Sequence, residues 1–461
     1  MNIGIILAAG EGTRMRSKKA KVLHPICGKP MIEYVLQTAK SSGLEKNVVI
    51  VGHGKDEVIS HVKMDGVFFE EQPIYEGAPY GTGFAVMQGL KHVSDDDLVV
   101  VLCGDTPLIT ETTIKKLIEY HTESNNCATV LTTELVDPKG YGRIVRRENG
   151  DLLKIVEHKD ANNWELEINE INSGIYCFKG SYLKESLSKI DNNNIQKEYY
   201  LTDVISILSD GGSKVGAFKI QDETEIYGIN SRVQLAFAQE VMVNRINRVH
   251  MENGVTLIDP KSILIEKDVI IGRDTIIYPG AILEGKTIIG EDCIIRGNTR
   301  IVDSTIENGV EIESTLIEES IVGDNCHIGP YAHLRPKSIL GQNIKIGNFV
   351  EVKNATLDDN TKASHLSYIG DAQVGKSVNI GCGVVFVNYN GQSKSKSIVE
   401  DNAFVGSNSN LVAPVTVKKW GYIAAGSTIT DDVEEGDLSI ARARQVNKAG
   451  WVEKKGFKKH K

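Results

Sequence analysis

Several protein classes are excluded by what this sequence lacks. Its seven cysteines (27, 103, 127, 177, 293, 326 and 382) are odd in number and scattered, with no Cys-x-x-Cys pair. That excludes a disulfide framework and a cysteine zinc cluster, and it reads as reduced thiols in a cytoplasmic protein. No apolar run approaches the ~20 residues that span a bilayer, so no membrane partner is expected. The opening apolar stretch, Ile3 to Ala9, is short and has no basic lead, as befits a buried first strand and not a secretion signal. Positive charge is in deficit: a net charge of -9 argues against a general nucleic-acid binder, though not against local basic sites for small anions. The glycine-rich turn after the first strand fits neither the P-loop nor the dinucleotide pattern, which disfavours ATPase and nicotinamide chemistry.

The 461 residues predict two or three domains at ~150 residues each. The two halves differ in rhythm. In the first, apolar runs (Ile3–Leu7, Asn47–Val51, Leu98–Leu102, Ala128–Thr132) alternate with helical spacing at Met31–Ser41 and Thr110–His121. This predicts an α/β, Rossmann-like domain over 1–229, with a mostly parallel sheet and ligands beyond the strands' carboxyl ends. In the second, Ile271, Ile277, Leu283, Ile289, Ile295 and Ile301 recur every six residues, often followed by glycine. Neither a helix nor a simple strand has that period; a left-handed parallel β-helix of hexapeptide repeats does. Eighteen residues make one triangular coil, so residues 251–430 allow about ten. Between them, Ser231–Met251 has helical spacing, with Ser231 as its cap, so a linker helix is assigned to 230–250 and the β-helix to 251–461, with a mobile lysine-rich tail after Gly450.

Two groups of residues carry chemistry. Leu7-Ala-Ala-Gly-Glu-Gly-Thr-Arg-Met15 is a glycine-rich turn whose backbone N–H groups can approach phosphate oxygens at Gly10 and Gly12, while Arg14 and Lys21 neutralise them. In the second half, Arg335 and Lys353 are eighteen apart and so stack on successive coils. Two stacked cations repel unless an anion bridges them, which points to a phosphate. His365 is a candidate general base near neutral pH, with Glu351 as a partner to orient its ring. His327 and His333, six apart, leave open a carbonic-anhydrase-like metal site.

The motif Leu-Ala-Ala-Gly-x-Gly-Thr-Arg-Met, with Lys21-Val-Leu-His24 behind it and Cys103-Gly-Asp-Thr-Pro107 after a strand, resembles sugar-1-phosphate nucleotidyltransferases. With the period-six half attached, the whole chain is similar to the bacterial bifunctional N-acetylglucosamine-1-phosphate uridyltransferase/glucosamine-1-phosphate N-acetyltransferases, matching in order from Leu7 to Arg442. The resemblance implies that Leu7, Ala8, Ala9, Gly10, Arg14, Lys21, Gln72, Gly81 and Thr82 bind UTP. It further implies that Gly142, Glu157 and Asn172 bind the sugar, and that Asp105 and Asn230 hold one or two Mg²⁺ ions. In the second half it implies glucosamine-1-phosphate on Arg335, Lys353, Tyr368, Asn379 and Lys394, His365 as base, and acetyl-CoA on Asn388, Tyr389, Ser407, Ala425 and Arg442. A homotrimer is implied as well. Departures from the family pattern leave Gln72 or Glu76 as the uracil reader, and Lys394 or Lys396 as the loop lysine. Tyr80, Phe84, Cys103, Cys382 and Asn390 also depart from it. The second reading is a nucleotidyltransferase with a purely structural, trimerising β-helix.

Overall fold

The computed structural model describes residues 1–457, so the last four residues of the basic tail lie outside the described residues. The chain divides into two compact units, Met1–Met242 and a second beginning at Val243, with the division inside the helix Arg232–Glu252. Ser231 does cap that helix, accepting the Gln234 N–H at 3.3 Å. Among the described residues, no helix is long and apolar enough to cross a membrane.

In the first unit, the apolar runs pair into one sheet in the order Val215–Lys219, Ala128–Glu134, Glu170–Lys179, Leu98–Cys103, Asn2–Ala8, Lys46–Val51, Val67–Glu71. It is mostly parallel; Glu170–Lys179 runs antiparallel to both neighbours. Alternate residues feed two cores. Ile3 and Ile5 pack with Val48, Val99 and Val101 on one face; Ile6 and Ala8 pack with Val49, Val100 and Leu102 on the other. Burial on both faces is why these strands read as unbroken apolar runs. Helix Met31–Ser41 buries the predicted face, Ile32, Val35, Leu36 and Ala39. Thr110 caps helix Glu111–Glu123 by accepting the Thr113 N–H. Strand Asn2–Ala8 lies between Leu98–Cys103 and Lys46–Val51, so the winding reverses beside it. The turns after Ala8 and after Cys103 therefore open into one crevice, the usual ligand position in such sheets.

The second unit is a parallel β-helix. Short strands stack into three faces, and in each rung the second residue points inward: Ile271, Ile277, Leu283, Ile289, Ile295 and Ile301 are all buried. Each such side chain contributes about 1.5–3 kcal/mol on leaving water. The coil is less regular than its period. Ile276 pairs with Ile294, eighteen on, but Arg300 pairs with Leu316, sixteen on, and Asn379 with Phe404, twenty-five on. The long coil bulges outward in the polar loop following Val387, and the third face has nine strands.

Asparagine and aspartate do much of the corner work. Asp274, Asp292, Asn298, Asn325, Asn343, Asn360 and Asn408 adopt positive φ, a region these short polar side chains tolerate. Their relatives also tie coil to coil: the Asp359 and Asp401 carboxylates accept the backbone N–H of Gln342 and Lys376 on the preceding coil. The glycines that follow the inward aliphatics serve a different need. A Cβ at Gly272 would fall 2.6 Å from the backbone of Gly290, so the coils could not approach. Gly347 is tighter still, with the Ser364 carbonyl oxygen 1.8 Å from where its Cβ would be. Gly347→Ala is therefore expected to destabilise the β-helix by ~3 kcal/mol. Urea unfolding followed by a probe in that unit would measure it, and an unchanged midpoint would contradict the packing argument.

Candidate functional site

The crevice of the first unit collects most of the predicted nucleotide residues. A cavity of about 240 Å³ is lined by Leu7, Ala9, Gly10, Lys21, Gln72, Gly81, Thr82 and Asp105. Ala8 is buried in the sheet, and Arg14 is exposed on the turn Thr13–Met15, outside that lining. Arg232 steadies this turn, donating from Nε to the Met15 carbonyl at 3.3 Å. Gln72 is buried against the cavity, while Glu76 is exposed and does not line it. At the other end, the Lys21 ammonium donates to Asp105 Oδ2 at 2.5 Å and to Asn230 Oδ1 at 3.1 Å. Two oxygen donors from distant segments thus converge on one positive charge. Gly142, Asn172 and Glu157 sit together nearby in the sheet: the Asn172 N–H donates to the Gly142 carbonyl, and Tyr176 lies beside both Asn172 and Glu157. Burial raises the Glu157 carboxyl above its ordinary range.

On the β-helix the predicted residues fall at two different corners of the triangular section. At one, Arg335 and Lys353 stack on successive coils as the eighteen-residue spacing requires, and Lys394 reaches over from the polar loop. The Lys353 ammonium is held below its ordinary range, first by the Lys394 ammonium beside it and then by Arg335. Lys396 instead donates to Gln373, so Lys394 is the loop lysine in the cluster. Asn388, at the base of the loop, donates to Tyr368 at 3.4 Å and to Asp371 at 2.5 Å; Tyr389 is exposed above it. At the other corner, His365, Cys382, Ser407 and Ala425 occupy equivalent places on successive coils, and Arg442 follows on the next coil beside Gly426. Asn379 lies on the adjoining face, opposite Lys362 and Phe404. The single chain thus separates His365 and Asn379 from the Arg335–Lys353–Lys394 cluster, because six residues carry the chain across one whole face.

The assignment of Glu351 as the residue that orients His365 is corrected here. Glu351 is taken by Arg335 at 2.8 Å, whereas His365 Nδ1 lies 2.8 Å from Asn348 Oδ1. An amide oxygen only accepts, so Nδ1 carries the proton and Nε2 presents a free lone pair. His327 and His333 each face a different carboxylate, Glu311 and Glu318, and among the described residues no group of three or more His, Cys, Asp or Glu converges as a metal cage.

Sequence reasoning missed Asn348, Asp371 and the segment Glu198–Asp203. The last packs on the Tyr80–Gly83 turn: Tyr199 N–H donates to Tyr80, and Gly83 N–H to Tyr199. It brings Glu198 to the nucleotide cavity, and Thr202 and Asp203 to a second cavity of about 410 Å³ shared with Glu157, Asp160 and Asp191. Only long-range pairing reveals this, although Glu198-Tyr-Tyr-Leu-Thr-Asp203 is an unusually dense polar–aromatic run. Burial, then Asp191 and Asp160, push the Asp203 carboxyl up to about 6. A raised carboxyl pKa costs stability as pH climbs from the ordinary ~3.9 to that value, and the full cost persists above it. Asp203→Asn should therefore gain stability over the parent at pH 7.5 and gain clearly less at pH 4.5 in urea melts; equal gains at both would contradict the shift.

The comparisons agree with this division. The nucleotidyl transferase family model matches residues 3–225, and the GMPPB C-terminal domain model matches residues 265–357. The bifunctional protein GlmU of Clostridioides difficile (strain 630) is 59% identical over 454 residues, covering 98% of each chain. Those of Alkaliphilus metalliredigens (strain QYMF) and Geobacillus sp. (strain WCH70) are 54% and 51% identical, each over 98–99% of both chains. With both units matched end to end, the chain belongs to the bifunctional GlmU family.

Proposed function

We propose that this chain makes UDP-N-acetylglucosamine in two steps, N-acetylation of glucosamine-1-phosphate and then uridylyl transfer to the product. The acyl step is assigned to the β-helix (251–461) and the nucleotidyl step to 1–229. The observation that carries the bifunctional reading is the crowding of Lys353, Lys394 and Arg335. A β-helix serving only as a scaffold has no need of repelling ammonium groups; a sugar phosphate relieves them.

In the nucleotidyl step a phosphate oxygen of N-acetylglucosamine-1-phosphate attacks the α-phosphorus of UTP, and the bond to pyrophosphate breaks. The nucleophile is already an anion, so the protein supplies position and charge, not a strong base. Backbone N–H groups of the Gly10–Gly12 turn, Arg14 and Lys21 face the phosphates, Gln72 the base, and Gly142, Glu157 and Asn172 the sugar. The site fits a hard divalent cation, because two oxygen donors already converge on the Lys21 ammonium. Asp105 and Asn230 would hold Mg²⁺, which when bound neutralises charge on the phosphates.

In the acyl step the amine of glucosamine-1-phosphate attacks the thioester carbon of acetyl-CoA. His365 Nε2 takes the amine proton, the C–S bond breaks, and the thiolate of CoA accepts a proton. Asn348 fixes the tautomer that makes this possible. Ser407, Ala425 and Arg442 continue the His365 corner and offer a track for CoA. Because His365 and Asn379 lie away from the cation cluster within one chain, a homotrimer with sites between neighbours is the assembly that completes them. Tyr331 and Phe349, stacked and more than half exposed beside Leu366, offer an apolar contact for that assembly. The reduced thiols fit a cytoplasmic enzyme.

The reading separates by mutation. His365→Ala should lower CoA release about 10²–10⁴-fold while leaving uridylyl transfer intact. Arg14→Ala should do the converse, lowering pyrophosphate release by about two orders of magnitude or more. Full acetylation by the first variant, or near-normal uridylyl transfer by the second, would remove that residue's role.

A further inference from the structure

The two oxygen donors of the nucleotidyl site come from segments far apart in the chain. Asp105 follows the strand Leu98–Cys103, and Asn230 precedes the helix Arg232–Glu252. A cation can use both only if their separation is held. The backbone contributes one tie, the Ile229 N–H donating to the Asp105 carbonyl at 3.0 Å. The side chain of Glu225 contributes three more. It is buried, 8% exposed. Its Oε2 accepts the Thr110 N–H at 3.0 Å and the Thr110 hydroxyl at 2.9 Å, and its Oε1 accepts the Thr113 hydroxyl at 3.0 Å.

These partners form the first turn of helix Glu111–Glu123, where a carboxylate is favoured by the helix dipole. The turn continues straight back to Asp105 through Ile109 and Thr106, whose own backbone bonds make that stretch compact. Forward of Glu225, the short turn Glu223–Ile226 leads directly to Ile229 and Asn230. One buried carboxylate therefore clamps the segment bearing Asn230 onto the segment bearing Asp105. A neutral side chain at 225 would take the ionic acceptor from all three donors and, as Gln, set its amide NH₂ against at least one of them, in a buried place where that is costly.

We infer that Glu225 is a positioning residue for the cation pair. It touches neither substrate nor cation and sets the spacing of Asp105 and Asn230. The inference rests on the reading of those two residues as the ligands, and the test keeps the two apart. The full-length chain is compared with Glu225→Gln, Thr113→Val and Asp105→Asn. Mn²⁺ affinity in the presence of UTP is measured by electron paramagnetic resonance, and the Mg²⁺ concentration giving half-maximal uridylyl transfer is measured alongside. A urea melt followed by a probe in the first unit reports on intact folding of that unit in each variant.

Glu225→Gln is expected to weaken Mn²⁺ binding about tenfold, the scale of losing a residue that orients a metal ligand, and to raise the half-maximal Mg²⁺ by the same factor. Turnover at saturating Mg²⁺ should stay within about threefold, since the chemistry itself is not touched. Thr113→Val, which removes one of the three bonds from the other side, should shift both quantities in the same direction by less. Unchanged Mn²⁺ affinity in folded Glu225→Gln and Thr113→Val would overturn the positioning role. Asp105→Asn with parental Mn²⁺ affinity would instead overturn the ligand reading beneath it.

Discussion

The nucleotidyl half is organised around one ammonium group held between two oxygens. Lys21 reaches Asp105, 84 residues on, and Asn230, 209 residues on, so three distant turns close around a single positive charge. Each donor is only partly exposed to solvent, and unpaired carboxylate there would be costly. The sheet makes the convergence possible. Reversal of winding beside Asn2–Ala8 opens the turns after that strand and after Leu98–Cys103 into the same crevice. In the proposed reading the oxygens take a cation and the turn opposite takes the phosphates.

The β-helix half works by the opposite device. There, like charges are brought together, Lys353 beside Lys394 and Arg335. Stacking of successive coils sets Arg335 above Lys353, and the long coil lets Lys394 lean over them. Of the acidic residues nearby, Glu351 pairs with Arg335 inside the cluster, and Asp371 accepts from Asn354 and Asn388. In the proposed reading both halves recognise phosphate, one through backbone N–H groups and a cation site, the other through crowded side chains. The product of the β-helix reaction retains the phosphate that the first unit needs as nucleophile, which gives one chain a chemical reason to carry both sites.

Much of this was legible in the sequence because burial imposes simple periods. Helix Met31–Ser41 and the inward residues of the coils stood out for that reason. The motifs around Gly10, Lys21 and Asp105 were legible because phosphate chemistry restricts which residues follow a strand. What escaped depended on contacts between distant segments. The pairing of Tyr199 with the Tyr80–Gly83 turn, the burial of Gln72 against the cavity, and the approach of Lys394 to Lys353 have no local signature. The partner of His365 was misassigned because Glu351 looks chemically suited to it; coil register places Asn348 beside His365 and Glu351 beside Tyr368 instead. Coil lengths of sixteen and twenty-five residues likewise follow from corner geometry that an averaged period hides.

The most direct test of this account is a crystal structure of the full-length protein with UTP and Mn²⁺, the metal located by its anomalous scattering. The account predicts a peak in contact with the Asp105 carboxylate and the Asn230 amide oxygen, with the triphosphate lying against the Gly10–Gly12 turn and Lys21. A metal held by the triphosphate with neither Asp105 nor Asn230 in contact would contradict it.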